Sequence, residues 1–271
     1  MTKMNLGLKK DMIVLDDIET WDECFIAHLK NNKATIFSYI NEELSIDSRA
    51  IEYYALRIDR PKNKFQSDWE TVISLSNQII SSSKIIGFHC TRLTKLEIDS
   101  IRENGLDILN TELFMNRISQ LKETNQITET IFEVLLNNNC VDDENRRGRL
   151  WFVHNRMTLT NEMGFYRLFK RWGGESLYWQ HEGESMCNSV LKSIGIPCIV
   201  LGLLTPQDIE RFMTFGERMI QFWRDSFNSN PYSHDTDTPA KRKIEVFKII
   251  TIHDPLFNQL TGFKKWKKKI Y

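Results

Sequence analysis

The sequence predicts an α+β protein with a helical N-terminal region. Apolar residues recur at helical spacing through the first eighty or so positions, whereas short apolar or alternating runs begin only at Lys84 and are separated by helices and long polar loops. Of the 271 residues, 41% are hydrophobic, which is enough for a buried core. Basic and acidic residues balance at 36 each, which disfavours a chain-wide electrostatic nucleic-acid binder but is compatible with a local basic patch.

Two helices are predicted in the N-terminal region, residues 1–83. The segment TWDECFIAHL (20–29) carries large apolar residues at helical spacing, and QSDWETVISLSNQII (66–80) repeats the pattern. A polar loop containing Pro61 separates them. No alternating strand pattern is found before Lys84.

A strand and a helix are predicted after this region. KIIGFHC (84–90) is a short apolar run typical of a buried strand. Thr94 and Glu97 have the spacing of a capping box at a helix start, and Gly105 fits the end of that helix. Residues 116–136 are amphipathic and predict another helix.

The remaining chain alternates between strand and helix patterns. A short helix is predicted over 163–172, ended by Gly173–Gly174, and a longer one beginning with Thr205 as N-cap and Pro206 as first residue. Four segments predict strands: RLWFVHN (149–155), ESLYW (175–179), IGIPCIVLGLL (194–204) and KIEVFKIITI (243–252). We expect 85–90, 149–154, 198–203 and 244–252 to form the centre of one small sheet.

Several classes of protein are disfavoured. Neither a G-x-G-x-x-G nor a P-loop pattern occurs, which argues against the common dinucleotide and triphosphate sites. No apolar run approaches membrane-span length, residues 1–10 are polar, and the five cysteines are scattered. We therefore expect a cytoplasmic protein with reduced thiols and no membrane association.

The segment IIGFHCTRLTKLEIDSIRENGLDIL (85–109) resembles the ADP-ribosyltransferase superfamily. In that family a strand often ends in Tyr/Phe-His-x-Thr and is followed by a helix, Gly-Leu and another strand. Five residues match: Phe88, His89, Thr91, Gly105 and Leu106. The departure is Cys90, where the family usually has a glycine whose backbone holds the nicotinamide amide; the cysteine keeps the N–H and C=O but adds a side chain.

The resemblance implies a fold and a substrate. It implies that 84–255 form a split mixed or antiparallel sheet of ADP-ribosyltransferase type, followed by a basic tail, 256–271, and that NAD is the substrate. RRGRLWFVHN looks like the second conserved strand of the family, so Trp151 or Phe152 would stack on nicotinamide. EVFKIITIHDP resembles its last strand.

Cleavage of the nicotinamide–ribose bond builds positive charge on the ribose, which suggests roles for individual residues. His89 would orient the ribose as a neutral imidazole, and Arg92 would contact the pyrophosphate. The alternative for His89 is a purely structural role, as a histidine at a strand end. Phe88, Cys90 and Thr91 complete the expected NAD-binding strand.

Two glutamates compete for the catalytic carboxylate. Glu175 follows the Gly173–Gly174 pair, which can fold the backbone into a cleft, and Tyr178 is near enough to help line it. Glu245 lies near the start of the last strand, where family enzymes often place their glutamate. An ordinary surface glutamate is the alternative for Glu175.

No metal site is predicted. Zinc ligands are suggested only by a set of two histidines and two cysteines: His154, His181, Cys187 and Cys198. No pair among them has the tight spacing of a zinc site.

The C-terminal tail FKKWKKKIY (263–271) is strongly basic. Residues 241–271 hold nine basic and two acidic residues, a net charge of +7. Lysines around one tryptophan suit phosphate contact and base stacking, although an anionic membrane, an acidic protein or solvent would suit them too. The predicted nucleic-acid-binding residues are Lys264, Lys265, Trp266, Lys267, Lys268 and Lys269.

The leading functional prediction is an enzyme that transfers ADP-ribose from NAD to RNA, DNA or protein. Because some enzymes of this superfamily are toxins of toxin–antitoxin or phage-defence systems, the resemblance also implies a toxin role and an antitoxin partner. The alternatives are an effector that hydrolyses NAD or nucleic acid with the same His and Glu, and a non-catalytic nucleic-acid- or protein-binding module.

Overall fold

A computed structural model describes residues 6–52, 60–160, 164–183, 186–208, 214–227 and 237–262. The helices are α1 (Glu23–Asn31), α2 (Lys33–Glu52), α3 (Gln66–Ile79), α4 (Lys95–Asn104), α5 (Thr111–Glu123), α6 (Glu129–Asn137), α7 (Phe165–Lys170), α8 (Glu175–His181), α9 (Met186–Ser193), α10 (Phe215–Asp225) and α11 (Pro255–Thr261). The strands are β1 (Met12–Ile13), β2 (Lys84–Leu93), β3 (Leu150–Phe152), β4 (Ile196–Leu204), β5 (Thr238–Ala240) and β6 (Glu245–Thr251). The predicted α+β class is confirmed. None of these helices combines the length and apolarity needed to cross a membrane.

The chain divides into two compact units. A helical unit comprises Asp17–Ser83 and Phe212–Tyr232, and an α+β unit comprises Met1–Asp16, Lys84–Arg211 and Ser233–Tyr271. The predicted boundary at Lys84 coincides with the start of one segment of the α+β unit. Residues 6–16, which the sequence prediction gave to the helical region, belong to the α+β unit instead.

The main sheet is four-stranded and mixed, in the order β1-β2-β4-β6. β2 and β4 are antiparallel over their length, from Ile85↔Leu204 to Leu93↔Ile196. β6 is antiparallel to β4, with a register shift between Leu201 and Gly202. The short strand β1 is parallel to the beginning of β2, and it corrects the expectation that no strand precedes Lys84.

β3 and β5 form a separate two-stranded antiparallel sheet. It is tied to the main sheet where Phe88 of β2 bridges Val153. The Phe152 ring lies over two glycines of the main sheet, because a Cβ on Gly202 would be 2.6 Å from that ring and one on Gly87 would be 2.9 Å from the Phe152 Cβ. The four segments expected in one sheet are thus all strands, but 149–154 pairs in the smaller sheet.

Two buried apolar clusters stabilise the α+β unit. One packs β2, β4 and β6 against α7 and α11, and it includes Phe169, Phe257 and Leu260. The other joins α5, α6, α8 and α9 around Trp172 and Leu177. The first residues of the predicted basic tail therefore belong to the core, as α11.

Three predicted elements differ from the structure. Residues 116–136 form parts of α5 and α6 rather than one helix, since Thr128 caps a new start. Residues 175–179 begin α8 instead of a strand, because the consecutive residues Leu177 and Tyr178 are both buried, which fits a helix face and not an alternating strand. Thr205 and Asp208 close a turn through the Asp208 carboxylate, and the described helix beyond them, α10, starts at Phe215.

Candidate functional site

A cleft of about 720 Å³ lies beside β2 in the α+β unit. Its walls come from β2, α4, α5, the segment leading into β3, β3 itself, α7 and the turn before α8. The cleft contains most of the residues predicted from the resemblance: Phe88, His89, Cys90, Thr91, Trp151, Phe152, Glu175 and Tyr178 all line it. Segments far apart in sequence are therefore brought to one place.

His89 projects from β2 and is held in one orientation. Its Nδ1 lies 2.8 Å from the carbonyl oxygen of Trp151, and its ring packs edge-on against Phe152, with centroids 5.9 Å apart. A carbonyl oxygen only accepts, so Nδ1 carries the proton, which leaves Nε2 of the neutral ring as an acceptor. Burial lowers the pKa of His89 and the positive charge of Arg117 adds to this, against the Trp151 carbonyl, which raises it.

The backbone of Cys90 lies at an edge of β2 that is unpaired among the described residues. Phe88 exchanges both hydrogen bonds with Val153, at 2.9 and 3.0 Å, so its N–H and C=O point away from β4. Because backbone direction alternates along a strand, the N–H and C=O of Cys90 point to the same side. Within the described ranges no strand pairs with β2 at that position.

The Cys90 side chain does not conflict with this arrangement. It is 4% exposed and belongs to the buried cluster between β2, β4 and the packed helices, and burial raises the pKa of its thiol well above the ordinary value. Cys90 therefore puts a small apolar group into the core and a backbone donor and acceptor at the cleft.

Glu175 stands at the first residue of α8, directly after two glycines with positive φ, Gly173 at 88° and Gly174 at 56°. A Cβ on Gly173 would lie 2.4 Å from Leu177, so this turn requires glycine. The Glu175 carboxylate accepts from Arg146 Nε at 3.2 Å and from the Tyr178 hydroxyl at 3.2 Å. Burial, followed by Glu175 itself, raises the pKa of Tyr178 to about 12, so the hydroxyl keeps its proton and donates.

The two aromatic candidates on β3 have different environments. Phe152 is 1% exposed and packs on the sheet glycines. Trp151 is 41% exposed and lines the cleft, while its indole N–H donates to the carbonyl of Asn145 at 3.1 Å. Trp151 is therefore the residue that can offer an aromatic face to a ligand.

Two predicted site residues lie away from the cleft. Arg92 is buried and donates to the carbonyls of Ile194 and Phe169, at 2.6 and 3.1 Å, so it connects parts of the core. Arg92 lies near the far end of β2 and its side chain points into the core. Because it does not reach the cleft, it cannot contact the pyrophosphate as predicted. Glu245 is 70% exposed and lies 3.7 Å from Lys84 at the opposite end of the strands, lining a separate small pocket.

Two cleft residues escaped prediction from sequence. Glu97 was recognised as a helix cap, which the structure confirms through the reciprocal Thr94 bonds, yet the same carboxylate also lines the cleft. It pairs with Arg117 of α5 at 2.6 Å. No sequence signal connects these two residues, because their pairing depends on how α4 and α5 pack.

The other predicted groups have simpler positions. His154 is hydrogen-bonded to the Ile86 carbonyl and to Thr238, and His181 to the carbonyl of Asn138. In the part of the chain that the structure describes, no three His, Cys, Asp or Glu side chains are grouped to hold a metal ion. The tail residues 263–271 lie outside the described residues, so their nucleic-acid role stays a prediction.

Replacing His89 with alanine should leave the fold intact, because among the described residues its side chain makes one hydrogen bond, to the Trp151 carbonyl, and it faces the cleft. We expect turnover of NAD to fall by about 10²-fold, the typical cost of a misplaced reacting group. Activity that needs neutral His89 should be full above the lowered pKa of the ring and should fall as the pH drops through that pKa; the alanine variant should lack this acidic limb. Thermal unfolding and NAD turnover from pH 4 to 8 check this, and an unfolded variant would make His89 structural.

Comparison of the chain with protein-family models, curated proteins and solved structures finds no match in any of the three.

Proposed function

We propose that the cleft binds NAD and that the protein transfers ADP-ribose from it to a macromolecule. The observation that carries the proposal is the edge of β2 left unpaired in the described part of the chain, where the backbone donor and acceptor of Cys90 lie next to the oriented imidazole of His89. The match of 85–109 to the ADP-ribosyltransferase pattern supports it from the sequence side. We propose in addition that the mixed sheet is of the ADP-ribosyltransferase type.

The Cys90 edge suits a primary carboxamide. A carboxamide has an N–H donor and a C=O acceptor side by side, which is the complement of one residue's C=O and N–H on a strand edge. Trp151 would cover one face of the nicotinamide ring, as its exposed position on the cleft wall permits.

His89 would accept a hydrogen bond from a ribose hydroxyl through Nε2. This role needs the neutral ring, and the lowered pKa favours it. The fixed bond from Nδ1 to Trp151 means that no rotation of the ring is needed on binding. Such a preset orientation lowers the cost of positioning the sugar for bond cleavage.

Glu175 would stabilise the positive charge that develops on the ribose as nicotinamide leaves. Its two hydrogen bonds, from Arg146 and Tyr178, fix the carboxylate before the substrate arrives. A fixed negative charge close to the developing cation is the largest electrostatic contribution that such a site offers. Glu245, exposed at the other end of the strands, would take no part.

The acceptor would be RNA, DNA or protein. The net charge of +7 over residues 241–271 supports a nucleic acid. A toxin role in the cytoplasm, with an antitoxin protein as partner, follows from the resemblance alone and is part of this proposal. Hydrolysis is the second candidate, since the Glu175 side chain is 45% exposed and water reaches it.

Binding of NAD analogues tests the carboxamide contact. Nicotinic acid adenine dinucleotide carries a carboxylate in place of the amide, so its oxygen would face the Cys90 carbonyl. We expect it to bind at least about ten-fold more weakly than NAD, because one hydrogen bond to a buried group is lost and two acceptors are opposed. Calorimetric competition measures the two affinities. Equal affinity for the two dinucleotides would show that the Cys90 backbone does not bind the carboxamide.

A further inference from the structure

Arg117 is a cation that the folded chain holds in place inside the cleft. It lies on α5, lines the cleft, and its side chain is 20% exposed. Its Nε donates to Glu97 Oε1 at 2.6 Å, and the guanidinium lies over the Trp172 ring, 4.6 Å from its centroid. One hydrogen bond and one stacking contact therefore set the plane of the group.

Glu97 is itself fixed. Its side chain is 9% exposed, and its Oε2 accepts from the Thr94 backbone N–H at 2.7 Å and from the Trp172 indole N–H at 2.9 Å. Burial raises the pKa of Glu97, but Arg117 and these donors outweigh it and lower the pKa overall, so the carboxylate is ionised at neutral pH. An ionised Glu97 that accepts three hydrogen bonds anchors Arg117.

The two terminal nitrogens of Arg117 are left for a ligand. A guanidinium has five N–H groups, of which Nε uses one on Glu97. Among the described residues no hydrogen bond from Nη1 or Nη2 is formed. Paired N–H groups in a fixed plane match the oxygens of a phosphate, which they bind in bidentate fashion.

The charge of Arg117 also restricts which part of the substrate can lie beside it. A cation next to the ribose carbon would oppose the positive charge of the transition state. Glu175 is carried by α8, on another wall of the same cleft. Arg146 on that side is already paired with the Glu175 carboxylate. The charges of Arg117 and Glu175 thus favour a substrate with its anionic part toward α5 and its reacting sugar toward α8.

We propose that Arg117, positioned by Glu97 and Trp172, binds a phosphate group of the substrate inside the cleft. The inference rests on the proposed function only for the source of that phosphate, the pyrophosphate of NAD. A phosphate of a nucleic-acid acceptor has the same chemistry. Glu97 is a positioning residue here, because it acts through Arg117 and not on the ligand.

Calorimetric titration with inorganic pyrophosphate, ADP-ribose and nicotinamide tests the proposal without requiring turnover. We expect Arg117→Gln to lower the affinity for pyrophosphate and for ADP-ribose by about 10- to 100-fold, because a charged hydrogen-bonding group is lost. The affinity for nicotinamide should not change. Arg117→Lys keeps the charge beside Glu97 but lacks the planar pair of donors, so a loss of about ten-fold is expected while the fold is retained. Arg102→Gln is the control, since Arg102 is exposed on α4 and pairs with Asp99.

Glu97→Gln separates positioning from direct contact. Its loss of affinity for pyrophosphate should be smaller than that of Arg117→Gln, and absent when Arg117 is already Gln. Titration with a 5′-phosphorylated oligonucleotide distinguishes the two sources of phosphate. If Arg117→Gln lowers the affinity for ADP-ribose more than for the oligonucleotide, Arg117 binds the pyrophosphate of NAD. If it lowers the affinity for the oligonucleotide more, Arg117 binds a phosphate of the acceptor. Wild-type affinity for pyrophosphate in a folded Arg117→Lys and Arg117→Gln would overturn the inference. Pyrophosphate binding that depends on Arg117 in a protein that ignores NAD would instead reject the proposed function alone.

Discussion

Glu175→Gln should lower the rate of NAD turnover by about 10²- to 10³-fold, the usual loss when one preorganised electrostatic group is removed. The amide keeps the volume of the side chain and most of its bonds to Arg146 and Tyr178, so charge is the property that changes. Affinity for NAD should change much less, because the ground-state ribose carries no positive charge. Steady-state and single-turnover measurements of nicotinamide release separate the two effects.

Glu245→Gln is the matched control for this experiment. Glu245 is also a glutamate, but its side chain is 70% exposed and pairs with Lys84, with Lys84 Nζ 3.7 Å from Glu245 Oε2. We expect wild-type activity from it. Full activity in both variants would contradict the oxocarbenium mechanism, and a loss confined to Glu245→Gln would move the carboxylate away from the cleft.

Asp16→Ala should destabilise the α+β unit by about 3–5 kcal/mol, the cost of leaving one partner of a buried ion pair alone. Asp16 and Arg156 have side chains only 7% and 11% exposed, with Arg156 Nε 2.9 Å from Asp16 Oδ1. The Arg156 backbone N–H also donates to this carboxylate at 2.9 Å. Urea unfolding followed by tryptophan fluorescence gives the change.

Asp11→Ala provides the comparison, because the Asp11 side chain is exposed and only its backbone carbonyl bonds to β2. Its free energy of unfolding should match the wild type within about 0.5 kcal/mol. An unchanged Asp16→Ala protein would show that the segment before residue 17 does not anchor the α+β unit.

Sequence patterns predicted the local features of the fold best. The capping box of Thr94 and Glu97 and the helix end at Gly105 are confirmed, because each depends on a few neighbouring residues. The helix start predicted at Thr205 was wrong, although it too depends on neighbouring residues. Thr205 and Asp208 form the hydrogen bonds of a helix cap, but these bonds close a turn. The strand β1 was missed because two paired residues carry no periodicity.

The candidate site was predictable in part. The spacing of His89 and the glycines before Glu175 placed two catalytic candidates that the fold brings into one cleft. Arg92 could not be judged from sequence, because a side chain at a strand end turns to ligand or core according to what packs around it. Arg117 is found only through its tertiary contact with Glu97, twenty positions away.

Incubation of the protein with NAD labelled in the adenylate phosphate, in the presence of a cell extract, tests the central claim most directly. Label should appear on a macromolecule together with free nicotinamide, in amounts that Glu175→Gln reduces. Treatment with nuclease or protease then identifies the acceptor. Label recovered only as free ADP-ribose would establish hydrolysis in place of transfer, and NAD left intact with every extract tried would contradict the account.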